Sequence, residues 1–193
     1  MNRIFGDFVE QQGGHGEYLK IGFHPASVPL QQRWRNNGLS ADFLAGYLST
    51  FFPGEDHAST ARQAEIKDAV SFIANELLEN AMKFSYAPAN HTVTIEMFLD
   101  ADAVRLYSVN GVAPQSIASF ERFADQLLTG DTQALYLEQL ERNASDESGA
   151  TSGLGFLTMV NDYGAALAWK LTRDDENEDR ASVTTMVSLP VKR

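Results

Sequence analysis

The segment 59–84 carries the longest regular pattern in the sequence and constrains the fold more than any other. Apolar residues recur there at intervals of three and four, the spacing of one face of an α-helix: Ile66, Val70, Ile73, Leu77, Ala81 and Phe84. Pro88 follows and stops the pattern, because proline cannot continue a helix. The segment is therefore predicted to be a long helix with one buried face.

The segments around this helix predict an α+β fold. Alternating apolar and polar residues predict five strands: 17–23, 91–100, 103–109, 166–172 and 182–191. The second and third of these are predicted to form one hairpin, and the fourth and fifth another. Helical spacing predicts further helices over 30–52, 117–128, 132–142 and 153–163. This order favours helices that cover one face of a mixed, mostly antiparallel sheet.

Two interpretations concern details of these elements. Gly38 is expected to divide the helix of 30–52 into two pieces, with Ser40 as the cap of the second piece. Apolar residues of the second piece are expected on one buried face: Phe43, Leu44, Tyr47, Leu48 and Phe51. The polar segment 143–152 is interpreted as a mobile loop.

The charge and composition of the chain narrow the classes of partner. Its 193 residues include 15 Lys and Arg against 26 Asp and Glu, and the net charge of −11 argues against a nucleic-acid partner. Cysteine is absent, which excludes thiolate metal sites and thiol nucleophiles. The first ten residues lack the order of a signal peptide, and no stretch approaches roughly 18 apolar residues. We therefore expect a cytoplasmic protein without a membrane partner.

A polar triplet lies on the long helix beside its apolar face. Glu76, Asn80 and Lys83 stand at i, i+4 and i+7, which places them within an arc of about 60°. A carboxylate, an amide and an ammonium on one face suit a polyanion bound with a metal ion. The competing interpretation is a solvated helix face stabilised by side-chain pairs, although asparagine is a poor helix former.

A glycine-containing turn follows much later in the chain. The segment 151–156 places Gly153 and Gly155 next to the hydroxyl residues Thr151 and Ser152, just before a predicted helix. Backbone N–H groups in such a turn bind phosphate, although the same glycines also suit a closely packed start of a helix.

The run 75–84 resembles a known motif. Its sequence, NELLENAMKF, is similar to the N box of the GHKL ATPases, whose pattern is Glu, three residues, Asn-Ala, one residue, Lys, then His, Tyr or Phe. The order of helix, hairpin, glycine motif, variable lid, second glycine motif and closing strands also resembles this superfamily over 66–191. The resemblance implies a two-layer α/β sandwich of the Bergerat type. The size of the chain favours small stand-alone regulators similar to the anti-sigma-factor serine/threonine kinases of partner-switching systems.

The resemblance also implies a domain organisation. Residues 1–193 would form one GHKL-like domain with four parts. These are the N-terminal strand and helix elements (1–58), the N-box helix and hairpin (59–110), an insert resembling the ATP lid (111–152), and the second glycine motif with its helix and closing hairpin (153–193).

The same resemblance implies roles for individual residues. Glu76 would be the catalytic base, and Asn80 would be the Mg²⁺ ligand. ATP would contact the remaining matched positions together with Asn80: Lys83, Asn110, Gly111, Ser152, Gly153, Leu154 and Gly155. The partner would be a regulatory protein similar to an anti-sigma antagonist, and a homodimer is compatible with the resemblance.

The chain departs from the family pattern at three positions. The first glycine motif of the family begins with an Asp that binds the adenine amino group, and Val109 stands at that position. Ala113 and Thr151 replace two further glycines. Loss of one buried charge-assisted hydrogen bond costs about 1.5–3 kcal/mol, or roughly ten- to a hundredfold in affinity. Nucleotide binding is therefore expected to be weakened, altered in base preference or lost.

Three functional hypotheses remain open from the sequence. The first is an ATP-dependent Ser/Thr kinase that acts on a partner protein, with the segment 115–152 as its lid. The second is a binding module that has kept the fold without catalysis, and the third is an ATPase without a protein substrate. The acidic segment 174–179 is interpreted mainly as a solvated hairpin end, and alternatively as a patch that attracts a basic partner.

Overall fold

The computed structural model describes residues 2–11, 17–24, 30–52, 57–86, 91–100, 102–145, 153–173 and 181–191. Six strands form one sheet: β1 (Asn2–Phe5), β2 (Glu17–Phe23), β3 (Val93–Leu99), β4 (Ala103–Val112), β5 (Ala166–Arg173) and β6 (Ala181–Pro190). Their order across the sheet is β1-β5-β6-β4-β3-β2, and every pairing between them is antiparallel. The predicted hairpins are confirmed, because β3 pairs with β4 and β5 pairs with β6.

Five helices of the described residues accompany the sheet: α1 (Leu30–Ser49), α2 (His57–Lys83), α3 (Ile117–Thr129), α4 (Thr132–Ser145) and α5 (Gly155–Asn161). The main core joins these helices to alternate residues of the strands, as a sheet with one helix-covered face requires. Helix α2 packs against β3 and β4 and also contacts α1 and α5. The predicted α+β sandwich is thereby confirmed.

The apolar stripe of α2 lies at the centre of this core. Val70, Ile73 and Leu77 are fully buried, and Ala81 is nearly so. Burial of a Val, Ile or Leu side chain stabilises a fold by about 1.5–3 kcal/mol. Phe84, at the end of the predicted stripe, is instead 60% exposed because the helix ends at Lys83.

The opposite face of the sheet is partly covered by the chain that follows β1. Phe8 packs on a smaller cluster formed by Tyr107, Ala168 and Met186. The Tyr107 hydroxyl donates a hydrogen bond of 2.9 Å to the carbonyl of Val9. This second cluster shows that odd-numbered residues of β4 face away from the helices.

Several sequence-based expectations require correction. Helix α1 runs unbroken through Gly38, and Ser40 lies inside it, where its hydroxyl donates to the Asn36 carbonyl at 2.7 Å. A single glycine costs a helix only about 1 kcal/mol, and tertiary packing of Leu44 and Leu48 outweighs that cost. Phe43, expected on the buried face, is 58% exposed.

Element boundaries differ from the predictions at three places. Strand β4 continues three residues beyond Val109, because its residues up to Val112 pair with β6. Helix α4 extends through Ser145, so the first part of the predicted loop 143–152 is helical, and 146–152 lie outside the described residues. Strand β1 was not predicted, since only Phe5 of its four residues is buried and the strand pairs on one side alone. The acidic segment 174–179 also lies outside the described residues.

Among the described residues, none of the helices combines the length and the apolar composition that a membrane span requires.

Because α1 is continuous through Gly38, a substitution at this position is expected to change the stability of the protein. A methyl group added at Gly38 would meet no atom within 4 Å. The Gly38→Ala variant is therefore expected to raise the free energy of unfolding by about 0.5–1 kcal/mol, because alanine favours the helix. Urea unfolding followed by circular dichroism measures this change.

Gly6→Ala serves as the matched control. Gly6 has a φ of +73°, and a methyl group there would lie 2.8 Å from the carbonyl oxygen of Leu167. This variant is expected to lower the free energy of unfolding by more than about 1 kcal/mol. Destabilisation by Gly38→Ala would contradict an unbroken α1.

Candidate functional site

A cavity of about 370 Å³ opens between α2, α3, the start of α5 and the helix-covered face of the sheet. This volume lies within the roughly 300–1,000 Å³ of small-molecule sites. Its lining combines polar side chains of α2 and the sheet with aromatic rings of α3 and α5: Glu76, Asn80, Ala81, Lys83, Phe84, Ser108, Asn110, Val112, Ser116, Ser119, Phe120, Phe123, Gly153, Gly155, Phe156, Trp169, Val183 and Thr185.

Helix α2 supplies one polar wall of the cavity. Glu76, Asn80 and Lys83 all line it, as their common arc on the helix predicts. The buried stripe of α2 fixes this orientation, because Ile73 and Leu77 face the core while the polar arc lies beside them. The Lys83 ammonium lies 5.6 Å from the ring centroid of Phe84, a cation–π contact at the mouth of the cavity.

Glu76 has an unusual electrostatic environment. Burial raises the pKa of Glu76 above its ordinary value of 4.5, and the nearby negative charge of Glu79 raises it further. Glu79 accepts a hydrogen bond of 2.9 Å from the side-chain amide of Asn75. A carboxylate with a raised pKa is a stronger proton acceptor, which suits a general base.

The second glycine turn approaches Glu76 closely. A methyl group built on Gly155, the first residue of α5, would overlap Oε2 of Glu76, so a larger residue there would displace the end of that side chain. Gly153 also lines the cavity and has a φ of +44°, the left-handed region that favours glycine. Leu154 precedes α5 and lies outside the cavity lining, while Thr151 and Ser152 lie outside the described residues.

The segment expected to form the first glycine loop is part of strand β4 instead. Asn110 pairs with Val183 of β6, is buried, and lines the cavity. Gly111 is not in the lining, and its carbonyl accepts a hydrogen bond of 2.9 Å from the backbone N–H of Tyr86. Gly111 therefore holds the chain after α2 to the sheet.

The sequence interpretation missed part of the site. Ser108 and Thr185 line the floor, and an aromatic wall consists of Phe120, Phe123, Phe156 and Trp169. The alternation of β4 was a usable signal for Ser108, because residues two apart on a strand share a face. The aromatic wall was not predictable, since it joins α3, α5 and β5, which are distant in sequence.

The polar residues of the cavity suit a magnesium ion that is also coordinated by the phosphates of a ligand. Asn80 offers a side-chain oxygen in the cavity lining, and Mg²⁺ binds through one or two protein oxygens together with waters and substrate phosphates. The described residues contain no group of three or more His, Cys, Asp or Glu side chains that would hold a metal by themselves. These residues are consistent with a metal shared with a nucleotide.

The raised pKa of Glu76 predicts a pH dependence of stability. Between about pH 4.5 and the raised pKa, the folded chain keeps the proton of Glu76 while the unfolded chain releases it. The contribution of Glu76 to the free energy of unfolding therefore falls as pH rises through this window. The Glu76→Gln variant, which cannot ionise, should gain stability relative to the original protein between pH 4 and pH 8.

Urea unfolding of both proteins across that pH range measures the difference. A difference in the free energy of unfolding that is constant with pH would contradict the raised pKa.

Comparisons with known proteins support the fold. No protein-family model matches the sequence, and no curated protein is similar to it at a significant level. Among solved structures, one chain of the crystal structure of the SiaB–SiaC complex from Pseudomonas aeruginosa matches with a TM-score of 0.56 and 19% sequence identity. The match covers 90% of this chain and 89% of that chain. The chain therefore shares the fold of a component of a two-protein complex along nearly its whole length.

Proposed function

We propose that the protein binds Mg²⁺-ATP in this cavity and phosphorylates a Ser or Thr of a regulatory partner protein. The observation that carries the proposal is the convergence of Glu76, Asn80 and Lys83 with Gly153 and Gly155 around one cavity. A general base, an oxygen ligand, a cation and a glycine turn are the groups that phosphoryl transfer requires.

Each residue has a distinct part in this reaction. The partner hydroxyl oxygen forms a bond to the γ-phosphorus as the bond from that phosphorus to the bridging oxygen of ADP breaks. The hydroxyl proton passes to the Glu76 carboxylate, whose raised pKa favours acceptance. Lys83 offsets negative charge on the phosphates. Magnesium, held through the side-chain oxygen of Asn80, would neutralise further charge on the phosphates.

The structural neighbour supports a protein partner. The similar chain comes from a solved complex of SiaB with SiaC, two different proteins. A shared fold at 19% identity does not transfer a substrate. It does favour a regulator that acts on another protein over an ATPase that acts alone.

A second candidate function is a binding module without catalysis. The close approach of Gly155 to the Glu76 carboxylate favours it, because it leaves no room for another atom between α5 and that carboxylate in this arrangement. Nucleotide binding by the kinase would require this contact to open. The two functions therefore differ in whether ATP enters the cavity at all.

Calorimetric titration with ATP, with and without Mg²⁺, separates these functions. We expect micromolar binding that weakens about tenfold or more without Mg²⁺ and in the Asn80→Ala and Lys83→Ala variants. Lys67→Ala is the matched control, since Lys67 lies on the exposed part of the same helix and outside the cavity lining. An equal loss in Lys67→Ala, or no heat up to millimolar ATP, would contradict the proposal.

Phosphoryl transfer is tested separately with the Glu76→Gln variant. This variant is expected to keep ATP binding and to lose phosphoryl transfer by about 10²–10⁴-fold, the usual contribution of a general base. Thiophosphate labelling of Ser and Thr in a cell extract from the source organism measures the transfer. Labelling that is equal for both proteins would eliminate Glu76 as the base.

A further inference from the structure

The floor of the cavity is a polar patch of Ser108, Asn110 and Thr185 that lies beside the aromatic wall. Ser108 of β4 lies opposite Thr185 of β6, and Thr185 lies opposite Trp169 of β5, so the three form one row across the sheet. Asn110 stands two residues further along β4 and shares the same face. All four line the cavity.

The three polar residues of the floor are buried. Ser108 is 2% exposed, Asn110 is 6% exposed and Thr185 is 7% exposed. Buried amide and hydroxyl groups cost stability unless they form hydrogen bonds. Because all three residues line the cavity, they are positioned to meet polar groups of a ligand.

Val109 is excluded from this floor by the geometry of the strand. It pairs with Thr94 of β3 and Thr184 of β6, whereas its neighbours Ser108 and Asn110 face the cavity. Side chains of consecutive strand residues point to opposite faces. A carboxylate at position 109 would therefore lie on the outer face of the sheet, away from any ligand in the cavity.

The orientation of the Asn110 amide follows from its hydrogen bond. Its Nδ2 donates to the carbonyl oxygen of Gly111 at 3.1 Å, and the same carbonyl accepts from the backbone N–H of Tyr86 at 2.9 Å. Only an N–H group can face a carbonyl oxygen favourably, so Oδ1 must turn away from Gly111. The acceptor oxygen of Asn110 is therefore directed away from the Gly111 carbonyl.

The aromatic wall determines the shape of ligand that this floor would meet. Phe156 lies 5.7 Å from Trp169 and 5.9 Å from Phe123, measured between ring centroids. Aromatic side chains beside a polar floor suit a ligand that combines a heteroaromatic ring with hydrogen-bonding groups at its edge.

We propose that Asn110 is the specificity-determining residue for the base of the nucleotide. Its Oδ1 accepts a hydrogen bond from the exocyclic amino group of adenine, and the hydroxyls of Ser108 and Thr185 meet the adjacent ring nitrogens. Guanine presents a carbonyl oxygen in place of that amino group, so two acceptors would face each other. This inference rests on the proposed binding of ATP, and it means that Val109 does not weaken adenine recognition.

The test compares the ATP and GTP affinities of four proteins of 193 residues by calorimetry: the original chain, Asn110→Ala, Ser108→Ala and Val109→Asp. Asn110→Ala is expected to weaken ATP binding by about ten- to a hundredfold, while the affinity for GTP changes far less. The ratio of ATP affinity to GTP affinity, which is the ATP-to-GTP preference, therefore falls. Ser108→Ala should shift the preference in the same direction. Ser108→Ala removes only one hydroxyl group. If Asn110→Ala does not fold, Ser108→Ala still tests the inference. Val109→Asp should leave ATP affinity within about twofold.

The outcomes separate this inference from the function on which it rests. If the original protein binds no nucleotide, both are overturned. If the original protein binds ATP, but Asn110→Ala and Ser108→Ala keep its ATP-to-GTP preference, the inference alone is overturned. A large gain in ATP affinity in Val109→Asp would also overturn it, since that result would place position 109 against the base.

Discussion

The site depends on how α2 packs on the sheet. The fully buried stripe of Val70, Ile73 and Leu77 fixes the rotation of the helix about its axis. The neighbouring arc of Glu76 and Asn80 must then face the cavity between α2 and α5. Because the side chains of one helix turn together, loss of the stripe would move all of these polar groups at once. The same buried residues of α2 therefore stabilise the core and set the positions of the polar groups in the site.

The negative charges of the Glu76 carboxylate and of the proposed nucleotide explain why the proposed reaction needs a metal ion and a lysine. The chain carries a net charge of −11, and burial already disfavours ionisation of Glu76. The proposed triphosphate would add further negative charge beside that carboxylate. Positive charge from Lys83 and a divalent cation would offset this repulsion, which is why removal of either is expected to weaken binding.

Two groups of residues that differ in chemistry line the cavity. Glu76, Asn80 and the glycine turn would meet the phosphates of the proposed nucleotide, whereas Asn110 and the aromatic wall would meet its base. The same β4 strand that carries Asn110 turns Val109 to the other face of the sheet, where the Tyr107 cluster lies. A one-residue difference in strand position thus decides whether a side chain meets a ligand.

Local patterns predicted most of the architecture. The periodicity of α2 and the alternation of β3 to β6 were sufficient for the element order, the two hairpins and the common face of Glu76, Asn80 and Lys83. The sequence could not show that tertiary packing carries α1 through Gly38, nor that pairing with β6 extends β4 through Asn110. Both depend on contacts with distant segments, which a local pattern does not contain.

The most direct measurement of nucleotide binding in this cavity uses Trp169, which lines it. The sequence has two tryptophans, so a Trp34→Phe variant leaves Trp169 as the only source of tryptophan fluorescence. Titration with Mg²⁺-ATP is predicted to change this fluorescence in a saturable way, with the same midpoint as calorimetric binding, and Asn80→Ala should shift that midpoint to higher concentration. Unchanged Trp169 fluorescence in a protein that binds ATP by calorimetry would place the nucleotide elsewhere and contradict the account.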